Sequence, residues 1–164
     1  MGILRATPAI ENDIAHAETA HDLDYMVRPS DADRALEALE AAGLRSAKPP
    51  EGWLYKAWDG DTLVDVIFHP SGGEVDDAMF ERAEVLDVQA VLMQVMSLED
   101  VLTTKLLSMR EHEVDYDGVL EIARALREQV DWDAVRERTS ESPYARAFFY
   151  LAEELDVVTA SSST

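Results

Sequence analysis

The chain of 164 residues contains no cysteine, which excludes disulfides, cysteine-ligated zinc, iron–sulfur clusters and thiol nucleophiles. Positive charge is also scarce. Fourteen Lys and Arg stand against 34 Asp and Glu, a formal net charge of −20, and only Lys48, Lys56 and Lys105 are lysines. Such a surface repels phosphate backbones and anionic lipid, so nucleic-acid and membrane binding are disfavoured and a phosphorylated ligand requires a cation. No apolar run approaches the roughly 18 residues of a spanning helix, and no basic region followed by an apolar stretch opens the chain. The expectation is a soluble, cytoplasmic protein. With 47% apolar and 29% charged residues and scattered Gly and Pro, the composition is that of one folded domain.

Residues 1–20 are weakly patterned and poorly defined. From His21 to Val27 the chain alternates, with Leu23, Tyr25 and Val27 on one side and Asp22, Asp24 and Met26 on the other, which predicts a strand. Ser30 with Asp33 resembles a capping box opening a helix that carries Ala35, Leu36 and Leu39 and closes at Gly43. After Pro49-Pro50, the runs Trp53 to Trp58 and Thr62 to His69 flank a segment centred on Asp59-Gly60, a hairpin signal. The second run is nearly all apolar and suits a central strand covered on both faces. Asp77 to Ala83 reads as a short helix, and Val85 to Met96 as one or two strands.

From Ser97 the pattern is helical. Ser97 with Asp100 starts one helix, Gly118 to Val130 and Trp132 to Arg138 give two more, and Ser142-Pro143 opens a last one to Leu155. The reading is an α+β fold: a mixed α/β core over residues 1–96, a helical part of the same domain over 97–155, and a flexible tail over 156–164.

Three carboxylates stand out. Asp22 and Asp24, two apart on one strand, leave it on one face about 6.6 Å apart at the backbone. Asp65, within Leu63-Val64-Asp65-Val66-Ile67-Phe68, is flanked by apolar residues, where an uncompensated charge costs several kcal/mol. One solution is a divalent cation such as magnesium, held by the three aspartates as one or two ions. The other is that Asp22 and Asp24 lie exposed at a strand end while Asp65 pairs with an Arg. Lys105 falls on the stripe of Leu98, Val101, Leu102, Leu106 and Met109, which aims it inward toward an anionic partner, unless it snorkels along the helix edge. His21 is either a phosphate or metal contact or a structural histidine. Clustered like charges also predict that Asp65→Asn stabilises the metal-free chain.

Asp22-Leu23-Asp24 on a first strand, Val64-Asp65-Val66 on a later one, and Thr104-Lys105-Leu106-Leu107 followed by Arg110, Asp115 and Asp117 together resemble the nucleotidyltransferase superfamily, in its minimal and abortive-infection-type branch. The resemblance covers residues from about 19 to 155 and implies a small mixed β-sheet of nucleotidyltransferase type. It further implies magnesium, with Asp22, Asp24 and Asp65 as catalytic metal ligands, Asp65 acting also on the acceptor hydroxyl, and Lys105 contacting a nucleoside triphosphate. A small molecule or a protein fits the acidic surface better than RNA as acceptor, and the toxin of a toxin–antitoxin pair is one context. The family's Gly-Gly or Gly-Ser pair before the first Asp is missing: Gly2 is the only earlier glycine, and Gly72-Gly73 follows the third Asp. The same residues are therefore compatible with a catalytically inactive binding or interaction domain of this fold.

Overall fold

The computed structural model describes residues 3–5, 22–88 and 90–159. The chain divides into two compact units, Met1–Met96 and Ser97–Thr164.

The first unit is built on a seven-stranded mixed sheet in the order β3-β4-β5-β2-β1-β7-β6, with β1 at Ile3–Arg5, β2 at Asp22–Met26, β3 at Arg45–Ala47, β4 at Leu54–Asp59, β5 at Thr62–Ile67, β6 at Glu84–Val88 and β7 at Val91–Val95. β2 runs parallel to β5 and β1 parallel to β7, while the remaining pairs are antiparallel. β1 is an element the weak patterning of residues 1–20 did not announce. β5, the nearly all-apolar run, lies between β4 and β2 as expected of a strand covered on both faces.

The helix α1, Ala32–Ala41, packs on β3, β4 and β5. Ala32, Val27 and Val66 are buried there, with Ala35, Leu39, Tyr55 and Phe68 against them. The expected capping box at its start does not form. Pro29 opens a 3-10 turn over Pro29–Asp31, leaving Ser30 inside that turn and Asp31 at the cap without a side-chain cap bond. The Asp33 carboxylate goes instead to Lys48 Nζ at 2.6 Å. That ammonium, with a lesser contribution from Tyr55, holds the Asp33 carboxyl below the usual carboxylate range. The short helix α2, Asp77–Arg82, is capped by Asp76 and buries Met79 and Phe80.

The second unit is helical: α3 at Leu98–Ser108, α4 at Tyr116–Leu126, α5 at Trp132–Arg138 and α6 at Pro143–Glu154. Leu102, Leu106, Val119, Ala123, Val135, Phe148, Phe149 and Ala152 form the centre of its core. Helix α4 starts two residues before Gly118, because Asp115 caps it by accepting a hydrogen bond from Gly118 N at 3.1 Å. A Cβ at Gly118 would approach Asp115 Oδ2 to 2.9 Å, which explains the glycine. Helix α4 ends at Leu126 rather than Val130, and a 3-10 turn over Arg127–Gln129 follows.

The chain beyond residue 155 is not simply a tail. Val157 and Val158 are buried, and their amides donate to Ala152 O at 2.9 and 3.3 Å, because the core of this unit extends past the end of α6. Residues 160–164 lie outside the described ones.

The start of α6 follows the sequence pattern. Ser142 Oγ accepts from Ala145 N at 3.2 Å, with Pro143 at the first helical position. Ser142→Ala is expected to cost about 1 kcal/mol, a Tm loss of about 2–4 °C, measurable by calorimetric melting of the full chain.

Candidate active site

The site is set by register. Parallel pairing of β2 with β5 puts Asp24 directly beside Asp65 and Asp22 beside Leu63. Antiparallel pairing of β4 with β5 puts Lys56 directly opposite Asp65. Neighbours across a sheet share a face, so Lys56, Asp65 and Asp24 form one row across three strands. The next row on that face, Leu54, Ile67 and Met26, is buried. The charged row thus borders an apolar floor, opposite the face that α1 covers.

Lys56 Nζ donates to Asp65 Oδ1 at 3.0 Å and to Oδ2 at 3.2 Å. The two side chains are 31% and 16% exposed, so this is a half-buried pair rather than a surface one. A lysine therefore compensates Asp65 where an arginine was the alternative to a metal. Asp24 is half-buried and interacts with its surroundings.

Lys56 is the partner of Asp65 that periodicity did not find, although a signal exists. In the β4–β5 hairpin Asp59 pairs with Thr62, leaving Gly60-Asp61 as a two-residue loop. Gly60, with φ +59°, occupies the first loop position, where II′ turns take glycine. Counting back from that loop lands Lys56 on Asp65. Centring the turn on Asp59-Gly60 instead shifts the count by two residues and misses the pair.

Other candidates fall elsewhere. His21 and the Asp22 side chain lie outside the described residues, so the structure speaks only to the backbone position of Asp22 on β2. Lys105 belongs to the second unit, half-buried in the last turn of α3. Its helix is buried on more than the one expected stripe, since Asp100, Thr103 and Thr104 are buried with Val101, Leu102 and Leu106. Asp115, one of the acidic pair after Lys105, serves as the cap of α4. Gly72 and Gly73, with φ +107° and +136°, lie in the loop after β5.

The donor chemistry suits a hard divalent cation, since two carboxylates adjacent on one face repel each other and offer oxygen ligands only. Among the described residues no group of three His, Cys, Asp or Glu side chains is close enough to hold a metal. The register brings Asp24 and Asp65 together, and a third ligand from β2 would come from Asp22. Asp65 already carries the Lys56 ammonium on both oxygens, which also reverses the stability expectation for its amide substitution: Asp65→Asn removes an ion pair as well as a repulsion.

A family model described as "Uncharacterised nucleotidyltransferase" matches residues 15–155, most of the chain and both units. No curated protein matches it. Among the described residues no helix is long and apolar enough to cross a membrane.

Proposed function

The chain belongs to this nucleotidyltransferase family, and from that premise we propose that it moves a nucleoside monophosphate from a nucleoside triphosphate to an acceptor hydroxyl in a magnesium-dependent reaction. The observation that carries the reading is the register that sets Asp24 beside Asp65 on one half-buried sheet face.

In this reading Asp22, Asp24 and Asp65 would hold magnesium through carboxylate oxygens. When bound, the ion supplies neutralisation of the triphosphate and polarisation of the α-phosphoryl group, without which an acidic protein would repel the substrate. Asp65 also orients the acceptor O–H and takes its proton. The acceptor oxygen forms a bond to the α-phosphorus in line with the bridging oxygen toward the β-phosphate. That bridging bond breaks, and pyrophosphate leaves with the electron pair. The apolar floor of Leu54, Ile67 and Met26 limits water on one side of the row and strengthens electrostatic interactions there.

The acceptor class we propose is a small molecule or a protein hydroxyl, because a net charge of −20 opposes RNA. A toxin acting on such an acceptor is the cellular context carried by the resemblance. Thermal shift of the full chain with each nucleoside triphosphate, with and without magnesium, tests the reading. Stabilisation that requires both supports it. No shift under any combination favours the inactive binding domain to which the missing glycine pair points.

Lys105 is proposed as a triphosphate contact. Lys105→Met keeps the apolar stem and removes the charge, and it is expected to weaken triphosphate binding by about 1.5–3 kcal/mol, the range of a hydrogen bond to a charged group. Calorimetric titration of nucleotide with magnesium into both proteins checks this, and an unchanged affinity would remove Lys105 from the site.

A further inference from the structure

We propose that Lys56 is an internal counter-ion: it holds Asp65 in the metal-free protein and competes with the divalent cation for the same carboxylate. This rests on the metal-binding reading above and adds a residue that the reading does not contain.

Three observations meet here. The Lys56 ammonium lies on both oxygens of Asp65, at 3.0 and 3.2 Å. The row sets Lys56, Asp65 and Asp24 side by side on adjacent strands, next to a buried apolar row, and the register continues it to Arg5 on β1. Lysine is also scarce, with three in a chain of 34 acidic residues. One of those three stands at the β4 position directly opposite Asp65, while Lys48 is engaged by Asp33 at the surface.

The physical consequence follows from charge. Two half-buried carboxylates side by side oppose folding unless a cation offsets them. Lys56 provides that offset for Asp65 from within the chain. A divalent ion binding Asp65 must then displace or share the ammonium, and part of its binding free energy goes into that exchange. Lysine suits the role better than arginine: its ammonium is a compact point charge on a flexible stem, whereas a guanidinium grips a carboxylate through a planar two-bond fork. Lys56 is accordingly a positioning residue for Asp65, and its removal has opposite effects on metal-free stability and on metal affinity. A side chain with a merely structural role would not produce that opposition.

The experiment titrates magnesium chloride alone, by calorimetry, into the full chain and its Lys56→Met, Lys56→Arg and Lys48→Met variants, with melting temperatures taken in chelator. Lys56→Met should melt several degrees lower without metal yet bind magnesium about tenfold more tightly, equivalent to about 1.4 kcal/mol. Lys56→Arg should restore the metal-free melting temperature with an affinity at or below wild type. Lys48→Met removes an equal charge away from Asp65 and should leave the affinity unchanged, which separates direct competition from the general field of the protein. If Lys56→Met does not fold in chelator, Lys56→Gln, which keeps one amide donor toward Asp65, supplies the same comparison with a smaller gain. Equal or weaker magnesium binding by Lys56→Met, or by Lys56→Gln where it replaces it, with wild type binding normally, would overturn the counter-ion proposal and leave the metal reading standing. Absence of magnesium binding by wild type and variants alike would overturn both.

Discussion

Asp65→Asn is expected to lower nucleotidyl transfer at least about a thousandfold, because a neutral amide holds a divalent cation far more weakly than a carboxylate and takes no proton from the acceptor, and each contribution amounts to several kcal/mol of barrier. The substitution is nearly isosteric, so the sheet register survives. The same change should lower the metal-free melting temperature by a few degrees instead of raising it. Lys56 contacts both carboxylate oxygens at hydrogen-bond distance, and losing that ion pair outweighs relief of the repulsion from Asp24, its neighbour on β2. Pyrophosphate release from mixed nucleoside triphosphates, with cell extract as the source of acceptor, reads the first effect, and calorimetric melting in chelator reads the second. Retention of a tenth or more of wild-type transfer would remove Asp65 from the chemistry.

The largest stability effect is expected in the second unit. Asp100 is fully buried in the first turn of α3, where Ser97 Oγ donates to its Oδ2 at 3.0 Å and Arg138, from the end of α5, donates to its Oδ1. Arg138→Met takes away a positive partner of a fully buried carboxylate, at a cost of about 3–5 kcal/mol. Adding Asp100→Asn should recover much of that loss, since the double variant buries no charge. Urea denaturation of the single and double variants measures the coupling. A loss below about 1 kcal/mol for Arg138→Met would mean that Arg138 is not the group that balances Asp100.

What could be read directly in the chain, and what could not, follows from the range of the forces involved. The caps at Ser97 and Ser142 are contacts within one helical turn, and the sequence predicts both. The alternation around Asp24 and the apolar run around Asp65 likewise mark β2 and β5. Ser30 misled because Pro29, its immediate neighbour, tightens the backbone into a 3-10 turn before the helix begins. β1 is three residues long and owes its place to pairing with β2 and to a single parallel bridge between Leu4 and Val95, both distant in sequence. Lys56 required a register correct to the residue, and a hairpin signal fixes register only once the two loop residues are known. The Asp100–Arg138 pair, 38 residues apart, depends on how α3 and α5 pack. Asp100 was legible as a cap partner of Ser97 but not as one half of a buried ion pair.

The central claim is that β2 and β5 bring together carboxylates that bind a nucleotide only through a divalent cation. Calorimetric titration of nucleoside triphosphate into wild type and Asp24→Asn, in saturating magnesium and again in chelator, tests it most directly. Wild type is expected to bind with magnesium and not detectably in chelator, with at least a hundredfold weaker binding to Asp24→Asn, about 2.7 kcal/mol. Equal binding with and without magnesium, or an Asp24→Asn protein that binds like wild type, would contradict it.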